Sequence, residues 1–419
     1  MYLPKGTNLF NPLPNCMLKL ALIREGKQPN DRRVALTPAQ AKKLSHAYAQ
    51  VQVVVQKSAA RCYPDHEYSE AGIAVQEQVN DCDILLGIKE VPVQQLIDGK
   101  TYLFFSHTIK KQPYNRKMLQ EILKKNIRLI DYEKLTDENG NRLVGFGRWA
   151  GIVGAYNGIW AWGKRFNLFD LHRASNCFNL EELQKEYSKV KLPPIKIAVT
   201  GAGRVAGGAI EVLKGMKIRQ VEPAAFIDNE FQEAVFTQLR SQDYHLRRDG
   251  GDYNREEYHQ NPWLYDADFA KYTRVTDLLI AAAYWNPKAP VLFSREEIKK
   301  EDFKIKVIAD VTCDIEGSVP CTLKASTIAE PLYDYDPAKE AVTTPLSDPA
   351  NLTIMAIDNL PCELPRDASE NFGKQLMEHV LPYLLGEDSR NIIKRATITD
   401  NGKLCPGYEY LQSYVNEQD

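Results

Sequence analysis

Short apolar runs alternate along this chain with stretches in which apolar residues recur every three or four positions. That alternation predicts strands separated by helices. MLKLALIRE, VQVVVQ, the run from Ile84 to Ile88 inside DCDILLGI, Tyr102 to Phe105, and IRLIDYE read as strands buried on both faces. Between the first two, RRVALTPAQAKKLSHAY carries Thr37 as N-cap and Pro38 at the first helical position of an amphipathic helix. The stretch from Asp65 to Gln78 reads as a second helix. Strands alternating with helical patterns predict a doubly wound α/β domain over roughly the first third of the chain.

The pattern changes at FGRWAGIVGAYNGIWAWGKRF, where Gly147, Gly151, Gly154 and Gly158 recur at about helical spacing. A stripe of small residues lets a helix approach another backbone closely, and the segment reads as the helix joining two domains. After NLEELQKEYSKVKLPP comes the clearest local signal, KIAVTGAGRVAGGAIEVLKGM, which is strand, glycine turn and helix. Gly201 and Gly203 open the turn, Ala206 stands where the fingerprint accepts Gly or Ala, and Gly207 with Gly208 adds clearance. Such a turn brings backbone amides and a helix start to a pyrophosphate, so a dinucleotide, NAD or NADP, is expected. The bland alternative is a structural glycine turn. Glu222 lies at about the distance expected for the acid that accepts the adenosine ribose hydroxyls, with Asp228 as its competitor. The polar, aromatic region 243–273 reads as an insertion, because Trp263 and five tyrosines are not left in solvent without reason. TDLLIAAAYW and FKIKVIADVTCD resume the strands, and AIDNLPCELPRDASENFG is a turn rich in acid and proline leading into an amphipathic helix. The expected architecture is two doubly wound, Rossmann-like α/β domains with a cleft between them. Residues 17–150 plus 350–419 form the substrate domain and 151–349 the dinucleotide-binding domain.

Composition narrows the function classes. With 419 residues, 44% hydrophobic and 26% charged, the chain is globular and long enough for two cores. A net charge of −2 gives no reason to expect nucleic acid or a membrane surface as partner. No apolar run reaches membrane length and MYLPKGTNLFNPLPNC lacks the layout of a signal peptide, so a cytoplasmic location is expected. The eight cysteines show no ligand spacing, and no metal is expected.

Two of the apolar runs end in ionisable side chains, Lys89 and His107. Buried parallel strands deliver functional groups at their carboxyl ends. A poorly solvated lysine near an imidazole should have its pKa drawn towards the range of a general acid or base. The competing reading is a lysine snorkelling to solvent and a histidine satisfied by backbone.

FFSHTIKKQ, RLIDYEKL, GFGRWAG, DVTCDIEGS with STIAEPLYDYD, and AIDNLPCELPRDASENFG together resemble the lysine-ketoglutarate reductase domain of the lysine-degrading aminoadipic semialdehyde synthases. They are also similar, more distantly, to the lysine-forming saccharopine dehydrogenases. The opening REGKQPNDRRVALTP is similar to alanine dehydrogenase and the nucleotide-binding part of transhydrogenase. The likeness runs from about Leu20 to the closing ATITDNGKLCPGYEYLQ, and a stand-alone form is expected. It implies reversible condensation of lysine with 2-oxoglutarate to saccharopine through an imine, with a nicotinamide cofactor. By motif match it puts Lys89 and His107 in the catalytic positions, with Glu90 and Glu133 as acidic neighbours. Arg24 and Arg142 match substrate arginines, Arg33 is a weaker candidate, and Asp358 falls where the family places a substrate-contacting acid. Where the related reductases carry TGTGNVS this chain has TGAGRVA; Arg204 there favours a 2′-phosphate while Glu222 opposes one, leaving NAD against NADP open. Oligomeric state and the direction of the reaction are open too. Two other readings are an alanine dehydrogenase and a non-catalytic transhydrogenase-like nucleotide-binding subunit.

Overall fold

The computed structural model describes residues 17–418, so the reading drawn from MYLPKGTNLFNPLPNC, Cys16 included, lies outside the described residues. Chain contacts divide the molecule into two units. One runs up to Gly145 and resumes at Pro365; the other is Phe146–Leu364. These borders differ from the expected 150/151 and 349/350, and packing explains the difference. The helix Gly147–Arg165 packs on the helix Arg204–Gly215 and the strand Val307–Asp310 of the second unit, and the strand Leu352–Met355 pairs in parallel with Val307–Asp310 there.

The first unit holds an eight-stranded sheet ordered Lys403–Leu404, Thr397–Asp400, Arg128–Asp131, Thr101–Phe104, Ile84–Leu86, Leu18–Leu22, Val51–Gln56, Ala74–Gln76. The strands from Leu18 to Asp131 are parallel, and counted along the chain they lie in the doubly wound order 3-2-1-4-5-6. Thr397–Asp400 pairs antiparallel with Arg128–Asp131 and carries the two-residue edge strand Lys403–Leu404 on its other side. Leu85, Tyr102, Phe104 and Leu129 pack with Leu119 and Ile122 of the helix Arg116–Lys124, which builds a core on one face of these short strands. The helix Pro38–Ala47 starts as expected, with Thr37 and Gln40 forming a reciprocal capping box. Such a cap contributes about 1 kcal/mol. The helix expected over 65–78 is shorter: Asp65–Glu70 stops at Gly72, whose φ of +84° reverses the chain into the edge strand Ala74–Gln76.

The second unit holds another eight-stranded sheet, ordered Ala341–Thr343, Tyr333–Asp336, Leu352–Met355, Val307–Asp310, Leu278–Ala281, Lys196–Thr200, Val235–Leu239, Arg219–Gln220. All run in one direction except Tyr333–Asp336, which pairs antiparallel with both Leu352–Met355 and Ala341–Thr343. Here the strand that follows the first helix does not return beside Lys196–Thr200. Arg219–Gln220 is only two residues long, exposed, and sits at the sheet edge, and Val235–Leu239 takes the place next to Lys196–Thr200.

The glycine stripe has a specific use. A Cβ on Gly151 would stand 1.8 Å from the Val205 carbonyl oxygen, and one on Gly208 would stand 2.0 Å from that of Arg148. Helices Gly147–Arg165 and Arg204–Gly215 therefore cross backbone on backbone at these two residues, inside the second unit. The region 243–273 forms a subdomain: His245–Arg247 pairs antiparallel with Tyr265–Ala267 beside the helix Arg255–Gln260. Tyr244, Tyr265 and Tyr272 are buried, whereas Trp263 is exposed with Lys288 5.4 Å over its ring. Among the described residues no helix is long and apolar enough to cross a membrane.

Candidate functional site

Four parallel strands of the first unit end on one edge, and each end carries an ionisable group. Leu18–Leu22 leads to Arg24 and Glu25, Ile84–Leu86 to Lys89 and Glu90, Thr101–Phe104 to His107, and Arg128–Asp131 to Glu133. Nδ1 of His107 lies 2.7 Å from Oε1 of Glu90, and Nζ of Lys27 donates to Oε2 of the same carboxylate at 2.9 Å. Burial pushes Glu90 up, but the hydrogen bond and charge of His107, with Lys27 behind them, outweigh it and hold the carboxyl at about 2. A permanent carboxylate accepts only, so His107 presents its proton on Nδ1 and leaves Nε2 to exchange one elsewhere. The His107 backbone is left-handed, with φ +52°, a conformation that costs a non-glycine residue about 1 kcal/mol or more. It is held by the neighbouring Ser106, whose N–H donates to Asp131 Oδ2 at 3.1 Å and whose hydroxyl also donates to that oxygen. Burial pushes Asp131 up to about 6 against those bonds.

Lys89 is half-buried and its backbone is clamped. Glu25 accepts the N–H of Ile88 at 2.7 Å through Oε1 and that of Lys89 at 2.8 Å through Oε2. Burial, and then the charge of Asp31, push Glu25 up to about 8. Glu133 is buried; its Oε1 accepts from Arg142 Nη2 at 3.0 Å, with Lys110 Nζ 3.5 Å away, while its Oε2 has no hydrogen-bond partner. The structure thus brings Lys89, His107, Glu90, Glu133 and Arg142 to one sheet edge. Arg24 is turned to another task, donating to Glu77 Oε1 at 2.7 Å. Arg33 is a buried bidentate partner of Asp31, with bonds of 3.0 and 2.6 Å. Asp358 was expected in the substrate domain; it follows the strand Leu352–Met355 in the second unit and is exposed there. Glu25, Lys27 and Asp131 were not foreseen. Glu25 had one signal, its place beside Arg24 in REGKQPNDRR, but its partners lie 63 and 64 residues away.

In the second unit the glycine turn is tied to both neighbouring strands. Gly201 N–H donates to Leu239 O at 2.7 Å, Gln238 Nε2 donates to Gly201 O at 2.9 Å, and Ala282 N–H donates to Thr200 Oγ1 at 3.1 Å. Gly201 has φ +101°, and a Cβ there would stand 3.0 Å from Ala282 O. Gly203 caps the helix Arg204–Gly215 and faces open space, while Ala206, in the first turn of that helix, is fully buried. A cavity of about 420 Å³ opens at this turn, lined also by Arg240, Ser241, Arg255 and His259. A tight turn, a free helix start and cationic walls fit a dinucleotide. Glu222 does not line this cavity. It caps the helix Pro223–Asp228 after the edge strand, one strand too far out, and Asp228 ends that helix. The place beside the turn expected for Glu222 belongs to the end of Val235–Leu239, which is followed by Arg240.

Residues 21–153 match the family model "Alanine dehydrogenase/PNT, N-terminal domain", and residues 185–406 match "Alanine dehydrogenase/PNT, C-terminal domain". The chain is 32% identical to the mitochondrial alpha-aminoadipic semialdehyde synthase of Rattus norvegicus, over 94% of this chain and 47% of that protein. It thus spans about half the length of that relative. It is 27% identical to the saccharopine dehydrogenase [NAD(+), L-lysine-forming] of Yarrowia lipolytica, over 87% of this chain and 92% of that one. Among solved structures it shares its fold with an L-alanine dehydrogenase (TM-score 0.63, 14% identity, 96% of this chain and 100% of that chain). A transhydrogenase from Sinorhizobium meliloti is also similar in fold (TM-score 0.59, 17% identity, 92% and 99%). With more than half of its length under one family model and two Rossmann-like sheets in place, the chain belongs to the alanine dehydrogenase/PNT family.

Proposed function

We propose that this protein interconverts saccharopine with L-lysine and 2-oxoglutarate. The observation that carries the reading is the strand-end cluster of the first unit, where Lys89 and the Glu90-bound His107 stand together with Glu133 and Arg142. The similarity to the rat and Yarrowia proteins supports the choice of substrates. In the condensing direction the uncharged ε-amine of lysine attacks the keto carbon of 2-oxoglutarate, the adduct loses water, and the resulting imine is reduced. The bound nicotinamide supplies the hydride for that last step.

The protein's own residues handle protons and carboxylates. One proton must leave the attacking nitrogen and one must reach the departing oxygen, and Lys89 and the Nε2 end of His107 are the two groups offered. Glu90, locked as a carboxylate, fixes the His107 tautomer and stabilises the imidazolium whenever the ring takes up a second proton. Arg142 reaches Glu133 through one bond, Nη2 to Oε1 at 3.0 Å, and its planar guanidinium has further donors to offer a substrate carboxylate. Glu133 Oε2, buried without a hydrogen-bond donor, is a place for a substrate ammonium. Asp358, at a strand end of the second unit, is proposed as a further contact for the lysine α-ammonium, and Arg24, released from Glu77, for a carboxylate.

Rates of NADH and NADPH oxidation with each substrate pair test the proposal. Oxidation is expected with lysine plus 2-oxoglutarate and absent with either alone. Turnover with pyruvate plus ammonia in their place would instead make the chain an alanine dehydrogenase.

A further inference from the structure

We propose that Asp131 is the positioning residue of His107: fully buried and out of reach of substrate, it sets where the imidazole points by fixing the chain next to it. The part His107 plays in turnover rests on the function proposed above, whereas its placement stands on the geometry alone. Thr101–Phe104 and Arg128–Asp131 run side by side, and Phe104 stands opposite Asp131 where the pairing ends. Beyond Phe104 the chain turns away, and the Ser106 N–H needs an acceptor other than a strand carbonyl. Asp131 supplies it: Oδ2 takes the Ser106 N–H at 3.1 Å and the Ser106 hydroxyl as well. The other oxygen, Oδ1, takes the Glu133 N–H at 2.7 Å, which fixes the plane of the carboxylate. On the far side of His107, the Thr108 N–H donates to Ser106 Oγ at 3.3 Å, and the two hydroxyl oxygens lie 2.8 Å apart. His107 is thus the apex of a small loop whose two feet are bonded to each other and, through Ser106, to Asp131. A left-handed φ of +52° at a non-glycine residue persists only where its surroundings over-determine it, and these bonds do so.

A turn of this kind does not by itself call for a charge, since serine or asparagine caps one as well. Yet Asp131, Ser106 and Thr108 are all fully buried, and among the described residues no cation is bonded to the carboxylate. Burial pushes Asp131 up to about 6, so the ionised form is held there at a cost. What the charge adds is a tighter grip on Ser106, because hydrogen bonds to an ionised acceptor are shorter and stronger than neutral ones. That grip bears on the chemistry. His107 must keep Nδ1 2.7 Å from Glu90 Oε1 while Nε2 stays free to exchange a proton. A displacement of about 1 Å at such a group can cost about 10²-fold in rate.

Proton spectra of the full protein with ¹⁵N in its histidine rings test the placement without substrate. The Nδ1–H of His107, bonded to Glu90, should give a far-downfield signal, identified among the seven histidines by its loss in His107→Ala. Asp131→Asn leaves one acceptor oxygen for the donors of Ser106 and Glu133, and the signal is expected to vanish or move upfield. Ser106→Ala keeps Asp131, removes only the hydroxyl, and is expected to shift the signal the same way by less. Turnover then separates a positioning role from a structural one. Asp131→Asn should lower kcat about 10²-fold in the otherwise native protein, but by no more than about twofold in His107→Ala. A signal that is the same with and without Asp131→Asn, or an equal loss of kcat with and without the imidazole, overturns the proposal. Signals that respond as stated, in a protein that does not turn over lysine plus 2-oxoglutarate, overturn the proposed function and leave the placement of His107 standing.

Discussion

The two units build the same kind of parallel sheet and dress its carboxyl ends in opposite ways. In the first, the strand ends carry carboxylates and cations that are already bonded to one another: Glu90 to His107 and Lys27, Glu133 to Arg142, Glu25 to two backbone amides. In the second, the corresponding edge offers a glycine turn, a helix start and a cavity lined by arginines without a carboxylate. Neighbouring charges and burial drive the first set apart: Glu90 is held at about 2, a carboxylate that orients His107, while Glu25 is pushed up to about 8. The second edge holds its ligand through backbone and fixed charge. One architecture therefore hosts proton chemistry or anion binding according to a handful of residues past each strand.

The largest effects are expected at the first edge and leave the second untouched. His107→Ala and Lys89→Met should each cost about 10² to 10⁴ in kcat with dinucleotide affinity unchanged. Arg142→Ala should mainly raise the dissociation constant of the dicarboxylate substrate. A comparable loss of dinucleotide affinity in the His107 variant, read by nucleotide fluorescence, would erase the distinction between the two edges.

The next effect concerns the second unit's frame. Gly151→Ala and Gly208→Ala push a methyl into a facing backbone carbonyl, an overpacking that costs about 1–3 kcal/mol or more and should lower Tm by several degrees. Gly207→Ala, one residue from Gly208, meets open space in mid-helix and should stabilise by about 0.5–1 kcal/mol. Calorimetry on the three variants separates them, and equal penalties at positions 207 and 208 would contradict the crossing.

Smaller still is the pH signature of the first edge. Glu90 is depressed to about 2 from an unfolded value of about 4.3, so its stabilisation is present above the unfolded value and lost as pH falls through 2. Glu25 is raised to about 8, so its contribution is present below about 4.3 and lost as pH rises through 8. Tm profiles should show Glu90→Gln flattening the acid limb and Glu25→Gln flattening the alkaline limb. Parallel profiles for wild type and both variants would remove the assigned causes.

Much of this contrast was legible in the sequence. VQVVVQ became the strand Val51–Gln56 without change, and the glycine turn, the Thr37 cap and the Lys89 and His107 strand ends are local patterns that tertiary packing respects. What escaped depends on pairing between distant segments. Glu222 was placed by counting residues from the turn, and counting fails when the next strand goes to the sheet edge and a later one fills the gap. Asp358 was assigned with the helix that follows it, although its own strand pairs in the second sheet. Lys27 and Glu25 sit in a loop without periodicity, and only the fold shows that they reach Glu90 and the Lys89 backbone.

The most direct test of the central claim follows one atom. With lysine labelled with ¹⁵N at the ε-position, 2-oxoglutarate and NADPH or NADH, mass spectrometry should find a secondary amine that joins both carbon skeletons and retains the label, with one water lost and one hydride gained. Label released as ammonia, or an unlabelled glutamate as the reduced product, would contradict the account.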